Sequence, residues 1–292
     1  LIQQYKIKMN ISFLDFWQYP KAFNPNNNFF IHVIRELFEE VQVVHPEDAD
    51  VIFFSSFGTE NRMYKNCKKV FYTGENQRPN FKKCDYSLTF DYDSYDGKNF
   101  RLPLWYLYID WFGVMTYDNP DWLIPESYLY DENEFTKKEK NKFCSIVFGS
   151  PIDSRLQAID SISKYKLVDV FGKVNKKYFL PDGEKYKLDL ISNYKFSLCY
   201  ENSIHSGYHT EKFLHGKIAG NIPIYYGSDT VSIDFNEHCC INASNMSLEQ
   251  LNEKIKQIDS DDKLYQEILN QPLFTEKINL DIIKESFYCI LK

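Results

Sequence analysis

Apolar and polar positions along this chain fall into blocks whose period changes from two to about 3.6. In IKMNISFL (7–14) apolar and polar residues take turns, the pattern of a strand with one buried face. FFIHVIRELFEE (29–40) spaces its apolar residues as a helix does. VQVV (41–44), ADVIFFSS (49–56), KKVFYTG (68–74) and CDYSLTF (84–90) then read as strands, and VIFF is apolar enough to be buried on both faces, as in a parallel sheet. YDENEFTKKEKNK (130–142) is polar, has no apolar period and reads as a linker. Beyond it the alternation restarts. FCSIVFG (143–149), KLVDVFG (166–172), KFSLCYE (195–201) and NIPIYYG (221–227) are strands. SRLQAIDSISKY (154–165), KYKLDLISNY (185–194) and HTEKFLHGKIAG (209–220) are helices, and 247–292 is mostly helical.

Two runs of β/α alternation predict an α/β protein of two Rossmann-like domains facing a cleft, with ligands at the carboxyl ends of the strands. The expected division is 1–135, 136–275 and a C-terminal helix over 276–292 able to pack back on the first domain. With 292 residues, 43% of them hydrophobic, the chain can fill both cores.

Charge narrows the function. A net charge of −7 argues against a broad nucleic-acid surface, yet permits one small basic pocket for a diphosphate. Aromatic residues reach 17%, and such faces pack on sugar rings as well as filling cores. The seven cysteines show no CxxC and no zinc spacing, and several sit in apolar runs, so they read as buried thiols of a reducing, cytoplasmic compartment. No stretch has the length of a membrane helix and no signal peptide opens the chain; a preceding anchor and peripheral membrane association stay open, since the first residue is Leu1.

The densest polar cluster is YENSIHSGYHTEKFLHGKIAGNIPIYYGS (200–228), which leaves a buried strand, crosses a loop of Asn, Ser, Gly and His, and enters a helix. Thr210 stands where it can cap that helix, with Glu211 and Lys212 in the first turn. A lysine there opposes the helix dipole unless an anion sits before it, and helix amides plus Lys212 make a diphosphate seat. Glu211 can accept hydrogen bonds from two ribose hydroxyls. For either residue alone, a cap and a solvated lysine would be the simpler reading.

KFSLCYENSIHSGYHTEK (195–212), followed by NIPIYYGS, resembles the α-1,3-fucosyltransferases, glycosyltransferase family 10. FCSIVFGSPIDSR (143–155), VDVFGK (168–173), VFYTGENQRPNFKKCDYSLTFDYD (70–93) and RLPLWY (101–106) continue the similarity, which covers roughly 70–240. The resemblance implies a GT-B fold, an N-terminal acceptor-binding domain and a C-terminal GDP-fucose-binding domain. It implies that Asn202 and Tyr208 contact the donor, Glu211 its ribose, and Arg155 and Lys212 its diphosphate, with Gly172 and Lys173 nearby. It points to Glu75 as general base, and leaves any side-chain role at Ser150 in doubt, since the family usually has Ser-Asn where Gly149 and Ser150 stand here.

The implied reaction is inverting transfer of L-fucose from GDP-β-L-fucose to a sugar hydroxyl, O3 of N-acetylglucosamine in an N-acetyllactosamine-type glycan. One carboxylate suffices for a single in-line displacement, and protein cations can meet the departing diphosphate, so neither metal nor other cofactor is expected. Asp48–Asp50 and Asp91–Asp93 have Asp-x-Asp spacing but fall where turns are expected. His205, His209 and His215 read as loop or surface histidines, with His205 the one that could line the donor site; Glu201 reads as a supporting carboxylate. FLDFWQYP (13–20) occupies the acceptor-loop position, placing Phe16, Trp17 and Tyr19 against the acceptor. The alternatives are a transferase of another nucleotide sugar and a non-catalytic glycan-binding relative. No GxGxxG follows a strand, which argues against a nicotinamide dehydrogenase.

Overall fold

The computed structural model describes residues 5–19, 21–172 and 183–292. The chain separates into two compact units, Leu1–Leu123 with Ile278–Lys292, and Ile124–Lys277.

In the first unit, β1 (Tyr5–Leu14), α1 (Phe29–Leu37), β2 (Phe38–Val43), β3 (Val51–Phe54), β4 (Lys68–Tyr72), β5 (Tyr86–Thr89) and β6 (Asn99–Arg101) build a sheet of order β2-β1-β3-β4-β5-β6; a short β7 (Ile109–Asp110) follows. Every pairing in that sheet is parallel. The sequence predicts helix through Glu40, but α1 stops at Leu37 and Phe38 turns extended at once. The reason is pairing: Phe38 and Glu40 lie in register with Tyr5 and Lys8 of β1, so sheet bonds take over where α1 has spent its apolar face. Asn28 starts α1, its Oδ1 accepting from the Ile31 amide at 2.9 Å. Phe30 meets Tyr72 edge-on at 4.7 Å, a contact of the kind that adds about 0.5–1.5 kcal/mol beyond burial.

In the second unit, a short β8 (Ile124–Pro125) precedes β9 (Lys142–Val147), α2 (Asp153–Ser163), β10 (Val168–Phe171), α3 (Glu184–Ile191), β11 (Tyr194–Tyr200), α4 (Glu211–Ile218), β12 (Ile222–Tyr226) and β13 (Ile241–Asn242). The sheet order is β10-β9-β11-β12-β13, again parallel throughout. Helices α5 (Leu248–Ser260) and α6 (Asp262–Leu269) close this unit, α5 opening on a capping box of Ser247 and Gln250. The last helix, α7 (Asp281–Leu291), belongs to the first unit: Phe287 stacks on Phe53 at 6.0 Å, and Lys68 Nζ donates to the Ile290 carbonyl at 2.7 Å.

The division falls earlier than the expected boundary at 135, and 130–142 is more than a linker. Phe135 is fully buried, and Asn133 Nδ2 donates to the Ile218 carbonyl at the end of α4. Lys140 Nζ donates to the carbonyls of Phe135, Ser192 and Ala219 at 3.1, 2.6 and 2.9 Å, closing the ends of α3 and α4 together. Burial, and the charge of Lys138, draw the Lys140 ammonium down to a pKa of about 8.

Candidate functional site

The C-terminal sheet reverses its order between β9 and β11, and open parallel sheets bind ligands beside such a reversal, at the carboxyl ends of the strands. Charged residues gather there because three successive elements deliver them. α2, after β9, carries Arg155; β11 runs straight into Glu201 and Asn202; α4 starts at Glu211 and Lys212.

Arg155 is 1% exposed, which a guanidinium tolerates only when its N–H groups are matched. Nε and Nη2 donate to the Tyr200 carbonyl at 3.3 and 2.6 Å, Nη2 also to Asn202 Oδ1 at 2.6 Å, and Nη1 to the Ser150 carbonyl at 3.0 Å. Ser150 thus serves through its backbone. The Phe148 ring lies under the guanidinium at 5.4 Å. Burial lowers the Arg155 pKa, against the upward pull of Glu201, Glu211 and Tyr208, and arginine remains charged throughout.

Glu201 is the hub. It is 2% exposed, accepts from the Thr210 amide at 2.8 Å and the Thr210 hydroxyl at 2.7 Å, and lies 3.3 Å from Lys212 Nζ. Thr210 does hold the cap position of α4, but its hydroxyl is diverted to Glu201 instead of bonding the helix amides. Lys212 Nζ donates to Thr210 Oγ1 at 2.8 Å and stands 3.6 Å from Glu211. Burial alone would pull the Lys212 pKa down; Glu201 and Glu211 outweigh it and raise it. Burial pushes Glu211 the other way, and Lys212, Lys187 and His215 overcome that, holding its carboxyl well below the usual range.

Lys187 of α3 sits 3.6 Å from Glu184 and 3.8 Å from Glu211, and its ammonium is 2.8 Å from His215 Nδ1. Desolvation first, then Lys187, depress the His215 pKa strongly, so the ring is neutral and Nδ1 accepts. His215, within α4, and His209, in the loop before it, are both 1% exposed, which corrects the surface reading for both and the loop reading for His215 alone. His209 Nδ1 is 2.6 Å from Asp234 Oδ2, and its Nε2 is 3.3 Å from Thr230 Oγ1, which accepts from the Gly207 amide at 3.0 Å. That relay pins the loop carrying Tyr208, itself 2% exposed.

Of the sequence-predicted donor residues, the structure brings together Arg155, Asn202, Glu211 and Lys212, with Tyr208 in electrostatic range of Arg155. Gly172 ends β10 with φ +104°, and a Cβ there would lie 2.3 Å from the Phe148 carbonyl oxygen, so the backbone geometry alone demands glycine. Lys173 lies outside the described residues. Lys187 and Glu184 escaped the sequence reading, because Glu211 and His215, which they meet in the cluster, are on another helix. Glu201 carried a usable signal, a carboxylate closing a buried strand.

Glu75 belongs to the other unit, exposed on the loop after β4. Its amide donates to Thr73 Oγ1 at 3.0 Å, and its carbonyl accepts from the Gln77 amide at 2.6 Å, so the turn is pinned while the carboxylate is open. A Cβ at Gly74 would come 2.8 Å from Leu104 Cδ1, the movable end of a side chain, so the leucine would have to shift to admit one. Phe16 is a correction: at 3% exposure, stacked on Phe23 at 4.1 Å, it is core. Trp17 is half-buried and Tyr19 66% exposed. Asp50 accepts from the Asn10 amide at 2.9 Å, and Asp91 binds Arg78 at 3.1 Å and the Tyr95 hydroxyl at 2.8 Å, so both Asp-x-Asp pairs serve local structure.

Two β/α units with parallel sheets, and a charged cluster at the order reversal of the second, define a GT-B fold. It superposes on a crystal structure of an α1,3-fucosyltransferase with GDP-fucose at a TM-score of 0.75, covering 100% of this chain and 93% of that one; the 24% identity speaks for the fold. Residues 11–108 match the model of the Alpha-(1,3)-fucosyltransferase FucT N-terminal domain, and residues 136–276 that of Glycosyltransferase family 10 (fucosyltransferase) C-term. Together the two models span most of the chain, which belongs to glycosyltransferase family 10. The Alpha-(1,3)-fucosyltransferase FucT of Helicobacter pylori is 31% identical over 219 residues, 67% of this chain and 45% of that protein. GDP-fucose protein O-fucosyltransferase 3 of Homo sapiens is 26% identical over 69% of this chain and 47% of its own length. The chain thus spans about half the length of these relatives. Among the described residues no helix is long and apolar enough to cross a membrane.

Proposed function

We propose that the chain transfers L-fucose from GDP-β-L-fucose to a sugar hydroxyl, with inversion at the anomeric carbon and without a metal ion. The observation that carries this is the Arg155–Glu201–Lys212–Glu211 cluster at the sheet reversal of a family 10 chain. Arg155 and Lys212 would meet the negative charge that grows on the diphosphate as the C1–O bond breaks, the stage at which fixed donors act most strongly. An ammonium has three N–H groups, and those not held by Thr210 can exchange a carboxylate for a phosphate oxygen. Glu211, ionised and partly exposed, would accept from ribose hydroxyls. Tyr208 and Asn202 would contact the donor, with Gly172 and Lys173 close by.

Glu75 is the proposed general base, taking the acceptor hydroxyl proton as that oxygen attacks C1. The acceptor reading is O3 of N-acetylglucosamine in an N-acetyllactosamine-type glycan, bound by the N-terminal unit. The α-(1,3) linkage made by the Helicobacter pylori relative supports this reading. The test incubates the chain with GDP-fucose and N-acetyllactosamine in EDTA and follows the product by NMR. An α-linked fucose at O3 of N-acetylglucosamine, formed at an undiminished rate, is expected. Hydrolysis or transfer only after manganese is restored would reject the metal-free route, and a β-linked product would reject inversion.

A further inference from the structure

The donor cluster reaches one helix further than the proposed reaction uses it. On α3, Lys187 Nζ lies 3.8 Å from Glu211 Oε1 and 3.6 Å from Glu184. It makes one hydrogen bond among the described residues, to His215 Nδ1 at 2.8 Å. Lys212 Nζ stands 3.6 Å from the same Glu211 oxygen. One carboxylate oxygen therefore has two ammonium groups beside it, one from its own helix and one from the neighbouring helix. Both lysine side chains are 17% exposed and that of Glu211 is 14% exposed, so water screens these charges only in part.

The second cation has a purpose if the first one is called away. Lys212 also stands 3.3 Å from Glu201, and it is the group that turns to the diphosphate in the proposed reaction. Once it turns, both carboxylates lose its attention while the diphosphate adds further negative charge. Glu201 keeps the Thr210 amide and hydroxyl, at 2.8 and 2.7 Å. Glu211 relies on the lysines: burial works against its ionisation, and Lys212, then Lys187, overcome that. A half-buried carboxylate left beside a diphosphate without a cation takes up a proton, and a neutral carboxyl is a weaker acceptor for ribose hydroxyls. Around Glu211 stand Lys212 and His215 from α4, Lys187 and Glu184 from α3, Glu201 after β11 and Arg155 from α2. Of the three cations, Lys212 and Arg155 are the ones assigned to the diphosphate. Lys187 is the one that remains, and the neutral His215 ring holds its ammonium where it is.

We propose that Lys187 is a positioning residue of the donor site: it keeps Glu211 ionised and in place when Lys212 turns to the diphosphate, so that the ribose hydroxyls meet a full carboxylate. The inference rests on the proposed use of GDP-fucose. The plainer role, a lysine that only ties α3 to α4, predicts no link between Lys187 and the ribose.

The test counts protons. GDP-fucose is titrated into the chain by calorimetry at pH 6, in two buffers of different ionisation enthalpy, since its diphosphate has no proton to exchange near that pH. Wild type should take up less than about 0.1 proton per donor bound. Lys187→Met should take up roughly 0.3–1, because an opposite charge this close ordinarily displaces a carboxyl's titration by about 1–3 pH units. The uptake should fade by pH 8, where the carboxyl is ionised in both states. In wild type, GDP should bind about 10-fold or more tighter than 2′,3′-dideoxy-GDP, the worth of a charged hydrogen bond to the ribose. Lys187→Met should lose most of that preference at pH 6 and regain it at pH 8. Lys187→Gln, which keeps a donor for His215 without the charge, serves in the same way if the Met variant does not fold. Equal proton counts in wild type and variant, or both nucleotides weakened alike, would leave only the tie between helices and overturn the inference. The double variant Lys187→Met with Glu211→Gln should take up no proton; uptake that persists there would place the proton on His215 and also overturn it. If wild type binds no GDP-fucose, the proposed function fails and this inference falls with it, whereas binding with unchanged proton counts rejects this inference alone.

Discussion

The two units share parallel wiring and reverse sheet order at the same place, between the first and third strands of each, yet they manage charge in opposite ways. At the C-terminal reversal, Arg155, Lys187 and Lys212 are matched by Glu184, Glu201 and Glu211, all held by hydrogen bonds or ion pairs within 3.8 Å. In the N-terminal unit, Arg62, Lys65, Lys82 and Lys83 are exposed and make no ion pair among the described residues, although Asp85 lies in the same wall, and Glu75 is exposed on a loop. A pre-paired cluster spends little ordering entropy when a diphosphate replaces a carboxylate, because its side chains are already immobile. Exposed groups keep their freedom until a ligand orders them. Under the proposed function, the difference suits one unit to a fixed nucleotide and the other to a variable glycan.

The sharpest way to break this contrast is Glu75→Gln, which keeps shape and removes basicity. Positioned proton transfer contributes about 10²–10⁴-fold, so kcat should fall by that factor while GDP-fucose affinity by calorimetry stays put. A folded variant with near-normal kcat would reject Glu75 and bring the other unit's Glu201 forward, despite its bonds to Thr210.

Next comes Arg155→Met. Taking one partner from a buried charge network costs about 3–5 kcal/mol, and here the Tyr200 carbonyl and Asn202 lose their donor. Chemical denaturation should show that loss, and GDP binding should fall with it. The milder Lys212→Met should leave the fold standing and weaken GDP binding by about 10- to 150-fold, the equivalent of a charged hydrogen bond. Wild-type GDP affinity in Lys212→Met would show that the cluster is a structural clamp only.

The smallest effect is on pH. His215 is held neutral, its pKa well below 6.5, while the unfolded chain titrates near 6.5. The unfolded state therefore binds more protons below that pH, so this contribution is complete above about pH 6.5 and declines as pH falls, by up to about 1.4 kcal/mol per unit. Stability profiles of wild type and His215→Gln between pH 7 and 5 should diverge with that slope. Parallel profiles would mean that the imidazole takes a proton within the fold.

Much of this was legible because it is local. Apolar runs such as VIFF and FSLCY mark buried parallel strands, and the 195–212 segment carries its polar residues at fixed offsets from a strand end. What escaped depends on contacts across the chain. No period distinguishes Phe16 in the core from Phe16 on a surface, and the stacking partner Phe23 decides it. Lys140 looked like one lysine in a polar tract, whereas its three carbonyl partners come from 135, 192 and 219. Lys187 lies 28 residues before His215, beyond any helical offset. Only the start of β2 was hidden: residues 38–40 also satisfy a helix until β1 pairs with them, whereas 41–43 already read as strand.

Gly172 has a consequence for anyone who maps this protein by saturation mutagenesis. Its backbone, at φ +104°, presses on the Phe148 carbonyl, and Phe148 is the ring on which the Arg155 guanidinium rests. Every replacement should score as inactive, and the score would look like that of a donor contact. It would instead report a misplaced strand end, transmitted through Phe148 to Arg155. Counting soluble protein alongside activity would separate the two, since a lost donor contact lowers turnover of correctly folded molecules and a broken strand end lowers their number.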